Sequence, residues 1–153
     1  MEKQLESKAL CAIEVELEPP QEIGNTPRGI RRIWQVAGGR VDGERLKGQI
    51  LPGGSDWALL RSDGVVDLDI RVTILTSDGQ LIAVSAKGLV DMPPDLRKKV
   101  REGQSVDPSK YYFRDAYFFE TSSEKYAWLN KILGVGAFEL TATGVSGTVY
   151  EIR

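Results

Sequence analysis

The run Val65 to Leu75 alternates without a break: Val66, Leu68, Ile70, Val72 and Ile74 occupy one phase, and Asp67, Asp69, Arg71 and Thr73 the other. A period of two belongs to a β-strand, whose successive side chains point to opposite faces; a helix would scatter the same residues around its axis. Asp63-Gly64 precedes the run and Asp78-Gly79 follows it. Asp-Gly between alternating apolar segments is a strong hairpin signal, because glycine supplies the positive φ that a tight turn needs. Leu81 to Val90 then reads as the returning strand.

The same pattern recurs along the chain. Leu10 to Leu17, Ile30 to Ala37, Arg45 to Leu51, Asp56 to Leu60, Tyr111 to Thr121, Phe138 to Thr143 and Thr148 to Ile152 read as strands. Pro19-Pro20 ends the first of them, since proline cannot donate to a ladder. Pro94 to Glu102 predicts one short helix, with proline early and Gly103 just beyond its end. Ser122 to Ile132 reads as an irregular connection, and residues 1–8 as disordered. Eight to ten short strands in 153 residues predict a single all-β domain over 1–153. A closed antiparallel β-barrel is preferred to a sandwich because closure removes exposed sheet edges.

The chain has no histidine and one cysteine, Cys11. Triads, Cys-His pairs and histidine metal sites are thereby excluded, so the expectation is no metal and no cofactor. Any catalysis must run on carboxylates, tyrosine, lysine, arginine or backbone amides. Cys11 sits in an apolar run and reads as a buried thiol. Net charge is −2, too acidic overall to neutralise phosphates, so neither nucleic acid nor a membrane is expected as partner. A charged N-terminus without an apolar core predicts no signal peptide and a cytoplasmic protein.

Candidate site residues follow from strand phase. On Val65 to Leu75 the charged phase meets water in the ordinary arrangement. In the reversed arrangement Asp69 and Arg71 line a polar lumen and pair there. Tyr112, Arg114, Phe118 and Glu120 share one phase of the aromatic strand, as an apolar pocket with a few polar groups or as residues at its rim. Asp56 follows two glycines in Gly53-Gly54-Ser55-Asp56-Trp57, either capping their amides or facing the cavity as acid or base, with Trp57 against the ligand. Arg31 and Arg32 occupy alternate phases, so one of them can enter a lumen.

Taken together, Arg28-Gly29-Ile30-Arg31, Gly53-Gly54-Ser55-Asp56-Trp57, Asp63-Gly64, Leu68-Asp69-Ile70-Arg71, Tyr111-Tyr112-Phe113-Arg114, Phe119-Glu120-Thr121 and Trp128-Leu129-Asn130, in that order, resemble domain-of-unknown-function family 3237 and its UPF0311-like members. The resemblance implies a small antiparallel barrel similar to calycin or allene-oxide-cyclase-like folds, and no established activity. Asp56, Asp69, Arg71, Arg114, Glu120 and Asn130 within these motifs are costly to bury, which points to a shared cavity.

The resulting expectation is a cofactor-independent enzyme of the isomerase, lyase or cyclase type. Asp56 or Asp69 would act as acid or base, Tyr112 as proton donor, and Arg71 and Arg114 as oxyanion stabilisers. Arg31, Trp57, Phe118, Glu120 and Asn130 would bind the small-molecule substrate. The alternative is a non-catalytic barrel carrying an apolar ligand with one anionic group. A polar lumen would turn the apolar phase of Val65 to Leu75 outward, where a homodimer would cover it.

Overall fold

The computed structural model describes all of residues 1–153. Ten strands form one antiparallel sheet: β1 (Ser7–Leu17), β2 (Gln21–Thr26), β3 (Gly29–Asp42), β4 (Gly48–Ile50), β5 (Ser55–Leu60), β6 (Val65–Thr76), β7 (Leu81–Asp91), β8 (Tyr112–Glu120), β9 (Leu133–Leu140) and β10 (Gly144–Ile152). One helix, α1 (Pro94–Arg101), and 3-10 turns at Pro108–Lys110 and Ala127–Lys131 complete the chain. Ser7 and Lys8, expected to be disordered, already pair with Ile152 and Glu151.

Hydrogen bonding runs β1-β10-β9-β8-β7-β6, then through β4 and β5 to β3, and β3 returns to β1. The sheet is therefore a closed barrel. It has eight strand positions, because β4 and β5 share one lane between β3 and β6, and β2 extends the lane of β1 beyond Pro19-Pro20. Gly64 and Gly79 adopt φ of 87° in the hairpins before and after β6, which fits the Asp-Gly turns read from sequence.

The apolar phase of β6 points inward. Leu68 and Ile74 are buried, and Ile70 and Val72 pack against the same core. Asp69 and Arg71 lie on the outer, exposed face. The ordinary arrangement therefore holds and the polar lumen does not form. The argument for a dimer from an outward apolar row falls with it.

Side chains pack over part of each end of the barrel. Near the Gly64 hairpin, Arg97 of α1 donates to the Gly64 and Met92 carbonyls at 2.7 and 3.1 Å, while Leu96 is buried in the core. Beside the Asp78 hairpin, at the opposite end, Leu129 is fully buried and the Tyr126 hydroxyl donates to Asp78 at 2.8 Å. Neither α1 nor any other helix is long and apolar enough to cross a membrane.

Candidate active site in the barrel lumen

Inward-facing side chains from almost every lane meet in the lumen. Ile13 and Val15 of β1, Val36 of β3, Ile50 of β4, Ile70 and Val72 of β6 and Val145 of β10 supply an aliphatic lining. Strand β8 adds Phe113, Tyr117 and Phe119: Phe113 and Tyr117 lie against Phe138 of β9 at ring distances of 5.8 and 6.1 Å, and Phe119 stacks on Tyr117 at 6.3 Å. Only two carboxylates enter this lining, Asp56 from β5 and Asp115 from β8.

Asp56 faces the lumen, and the amide it caps belongs to Asp69 and not to the preceding glycines. The β5–β6 ladder is registered at Asp56 with Ile70 and next at Leu59 with Asp67. In the gap between these pairs the Asp69 amide donates to Asp56 Oδ1 at 3.0 Å. The carboxylate thus stands in for a ladder carbonyl. Burial nonetheless dominates, and with the negative charge of Asp115 it pushes the Asp56 carboxyl up to about 7.

Asp115 is 4% exposed. Its Oδ2 accepts from the Tyr117 hydroxyl at 3.1 Å, while Oδ1 is buried without a partner. Burial pushes this carboxyl up to about 7 as well, against the opposing effect of the Tyr117 bond. The same burial and the adjacent carboxylate raise the Tyr117 phenol well above its ordinary value. The space that Asp115 occupies comes from glycine. Its cross-strand neighbours are Gly88 on β7 and Gly136 on β9. A Cβ at Gly136 would collide with Asp115 Oδ1 and the Phe138 ring, and one at Gly88 would meet the Asp115 Cβ at 2.5 Å.

The enclosed room in the lumen is about 60 Å³, well below the ~300–1,000 Å³ of a ligand pocket. The lumen is not sealed, however. Val15, Leu17, Trp34, Ile70, Val72 and Val145 pack against the core yet stay only half-buried, as residues around an opening do.

The other residues singled out from sequence lie elsewhere. Strand β8 was read in the wrong phase: Tyr112, Arg114, Phe118 and Glu120 are exposed, and Phe113, Asp115, Tyr117 and Phe119 face inward. Tyr112, Arg114, Asp69, Arg31 and Trp57 do come together, but in a groove of about 600 Å³ on the outside of the barrel. Arg71, Phe118 and Glu120 line a second outer groove with Gly53 and Gly54. No arginine therefore reaches the lumen to stabilise an oxyanion. Asn130 is a clip, bonding both the amide and the carbonyl of Thr121 at 2.8 and 3.0 Å. Asp115 and Tyr117 were missed, although a lone carboxylate in an otherwise aromatic phase was a signal in the sequence.

The fold and site define a class: small closed antiparallel barrels with titratable carboxyls in an apolar lumen. Within that class, the chain belongs to the family described as protein of unknown function (DUF3237), whose model matches residues 6–152. A UPF0311 protein of Rhodopseudomonas palustris is 33% identical over 148 residues, covering 97% of each chain. A solved structure of a conserved protein of unknown function from that organism superposes with a TM-score of 0.92 at 32% identity, covering 100% of both chains. A beta-barrel like protein of Acinetobacter baumannii gives 0.86 at 35% identity, covering 100% of this chain and 99% of that one. More distantly, the hydroalkoxylation enzyme phnH of Penicillium herquei is 27% identical over 107 residues, 70% of this chain and 56% of that one.

Proposed function

We propose that this protein is a cofactor-independent small-molecule enzyme whose barrel lumen performs acid–base chemistry through Asp56 and Asp115. The observation that carries the reading is the pair itself: two carboxyls, both pushed up to about 7, facing a lining that is otherwise apolar and aromatic. A group that transfers protons efficiently near neutrality has its pKa there. Near neutrality each carboxyl is populated in both its protonated and its ionised form, so one can donate while the other accepts.

The phnH likeness is consistent with this chemistry. Hydroalkoxylation adds an alcohol O–H across a carbon–carbon double bond. Within one molecule it requires a base at the hydroxyl and an acid at the carbon, with no net change of mass or oxidation state. Cyclisation and double-bond isomerisation make the same demand. Asp115, with one oxygen free and the other held by Tyr117, is the group placed to receive a hydroxyl, and Asp56 is the complementary acid. The carrier alternative asked for a cation to anchor an anionic ligand, and the lumen lining contains none.

The test is a panel of hydroxyl-bearing unsaturated compounds, followed by chromatography and mass spectrometry for products of unchanged mass. Turnover by the wild-type protein, reduced at least ~100-fold in Asp56→Asn and in Asp115→Asn, is the expected result. Turnover that survives both substitutions would place the chemistry outside the lumen.

A further inference from the structure

The first outer groove holds the cations that the lumen lacks. Two of them are arginines, Arg31 on β3 and Arg114 on β8, and a main-chain carbonyl fixes each: Arg31 donates to that of Trp57 and Arg114 to that of Phe113, both at 2.8 Å. Neither takes part in any of the chain's ion pairs. The other charges of the groove are matched or turned away. Asp67 is held by Arg61 at 3.1 Å. Asp69 on β6 and Lys87 on β7 are cross-strand neighbours of opposite sign, and Asp115 turns its carboxyl into the lumen. Two positive charges are left over, in a chain whose net charge is −2. Large apolar side chains stand exposed beside them. Trp57 is 51% exposed, Tyr112 53% and Leu89 40%, and the Arg114 guanidinium lies over the Tyr112 ring at 5.6 Å from the centroid. The room in the groove, about 600 Å³, falls within the ~300–1,000 Å³ of small-molecule sites.

We propose that this groove is a binding site for a small aromatic carboxylate, separate from the lumen and its acid–base chemistry. A guanidinium carries five N–H donors in a planar fork that matches a carboxylate. Each arginine here uses one N–H on its carbonyl, which orders the side chain and leaves the rest for a ligand. Ordering the arginine before the ligand arrives lowers the entropy cost of binding. Arg31 and Arg114 supply the charge, and Trp57, Tyr112 and Leu89 supply the surface that a flat apolar body covers. Asp69 in the same groove opposes a compact, multiply charged anion such as phosphate. A ligand with an apolar body and one anionic group is what the carrier reading of the sequence asked for. The lumen has only the apolar half of such a site, and the groove has both halves.

Isothermal titration of the full chain with a naphthalene carboxylate tests the site, with the neutral naphthalene methanol and inorganic phosphate as comparison ligands. The carboxylate is expected to bind at one saturable site, about 10-fold or more tighter than either comparison ligand. Arg31→Gln, Arg114→Gln and Trp57→Ala are each expected to weaken it about 10-fold. Arg101→Gln, at an exposed position on α1 outside the groove, and Asp115→Asn, inside the lumen, are expected to leave it unchanged. Circular dichroism of each variant confirms that the barrel is intact. No saturable binding of the carboxylate at millimolar concentration would overturn the proposal. So would equal affinity for the methanol, which leaves the arginines no role, or equal affinity for phosphate, which leaves the rings none. Binding that Asp115→Asn alters while both arginine variants leave it intact would place the ligand in the lumen and overturn the proposal as well.

Discussion

Replacing Asp115 by asparagine should make the folded protein more stable at alkaline pH and not at acidic pH. In the unfolded chain this carboxyl ionises near 3.8, and burial in the barrel carries it to about 7. Below the lower value both states are protonated and the group contributes no difference. Between the two values the unfolded chain releases a proton that the folded chain retains, so stability falls as pH rises. Above the upper value both states are ionised and the loss levels off. About three units at ~1.36 kcal/mol each give roughly 4 kcal/mol lost across that interval. Asparagine cannot ionise, yet its Oδ1 can still accept from the Tyr117 hydroxyl. Its amide group, placed where Asp115 Oδ1 lacks a partner, costs roughly 1–3 kcal/mol, the same at every pH. The diagnostic is therefore the slope and not the offset. Urea unfolding of both proteins from about pH 4 to pH 9 should show the variant gaining on the wild type by ~4 kcal/mol, with the gain complete by about pH 8. At ~2–4 °C per kcal/mol that is roughly 8–16 °C in Tm. Parallel stability curves for the two proteins would refute the reasoning, since they would mean that Asp115 is ionised in the folded barrel as it is in the unfolded chain.

Three further outcomes are expected. Gly136→Ala places a methyl group where Asp115 and the Phe138 ring now sit; it should cost about 1–3 kcal/mol in urea unfolding and abolish any lumen activity, because an overpacked core must shift to accept it. Cys11, buried and with its thiol pushed up to about 12, should resist an aromatic disulfide reagent in the native protein and react at once in denaturant. Tyr117→Phe removes the hydroxyl that favours the Asp115 anion; the acidic limb of any pH–rate profile should move upward, because a base must be ionised to act, and an unmoved profile would show that Asp115 is not the titrating base.

Much of the barrel was legible because alternation and hairpin glycines are local signals. The strict phase of Val65 to Leu75 and the two Asp-Gly turns define β6 and its neighbours directly. The short β4, the sharing of one lane by β4 and β5, and the entry of Ser7 and Lys8 into β1 depend on which strands meet, and alternation does not encode that. The site was half legible. Asp56 was found because two glycines before a carboxylate ask for an explanation. Asp115 was passed over because β8 has large side chains on both phases, so hydrophobicity alone does not say which faces inward. The deciding constraint lies on other strands: Gly88 and Gly136 flank Asp115 on either side and leave room for its carboxylate. Arg31, Trp57, Asp69, Tyr112 and Arg114 share one outer groove and Arg71, Phe118 and Glu120 another, where the sequence reading puts them all in one lumen, since phase fixes which residues share a face and not which face is the lumen.

The central claim is that Asp56 and Asp115 each titrate near neutrality inside the barrel, and carboxyl-carbon NMR reads this directly. The full chain, labelled at the aspartate carboxyl carbon, would be titrated from about pH 3 to pH 10, with Asp56→Asn and Asp115→Asn spectra assigning the two resonances. The account predicts that both resonances move with apparent midpoints near the values of about 7 that burial imposes, and that removing Asp115 lowers the midpoint of Asp56, because a neighbouring negative charge opposes ionisation. Two resonances that complete their shift in the ordinary aspartate range near ~4, with Asp56 indifferent to loss of Asp115, would contradict it.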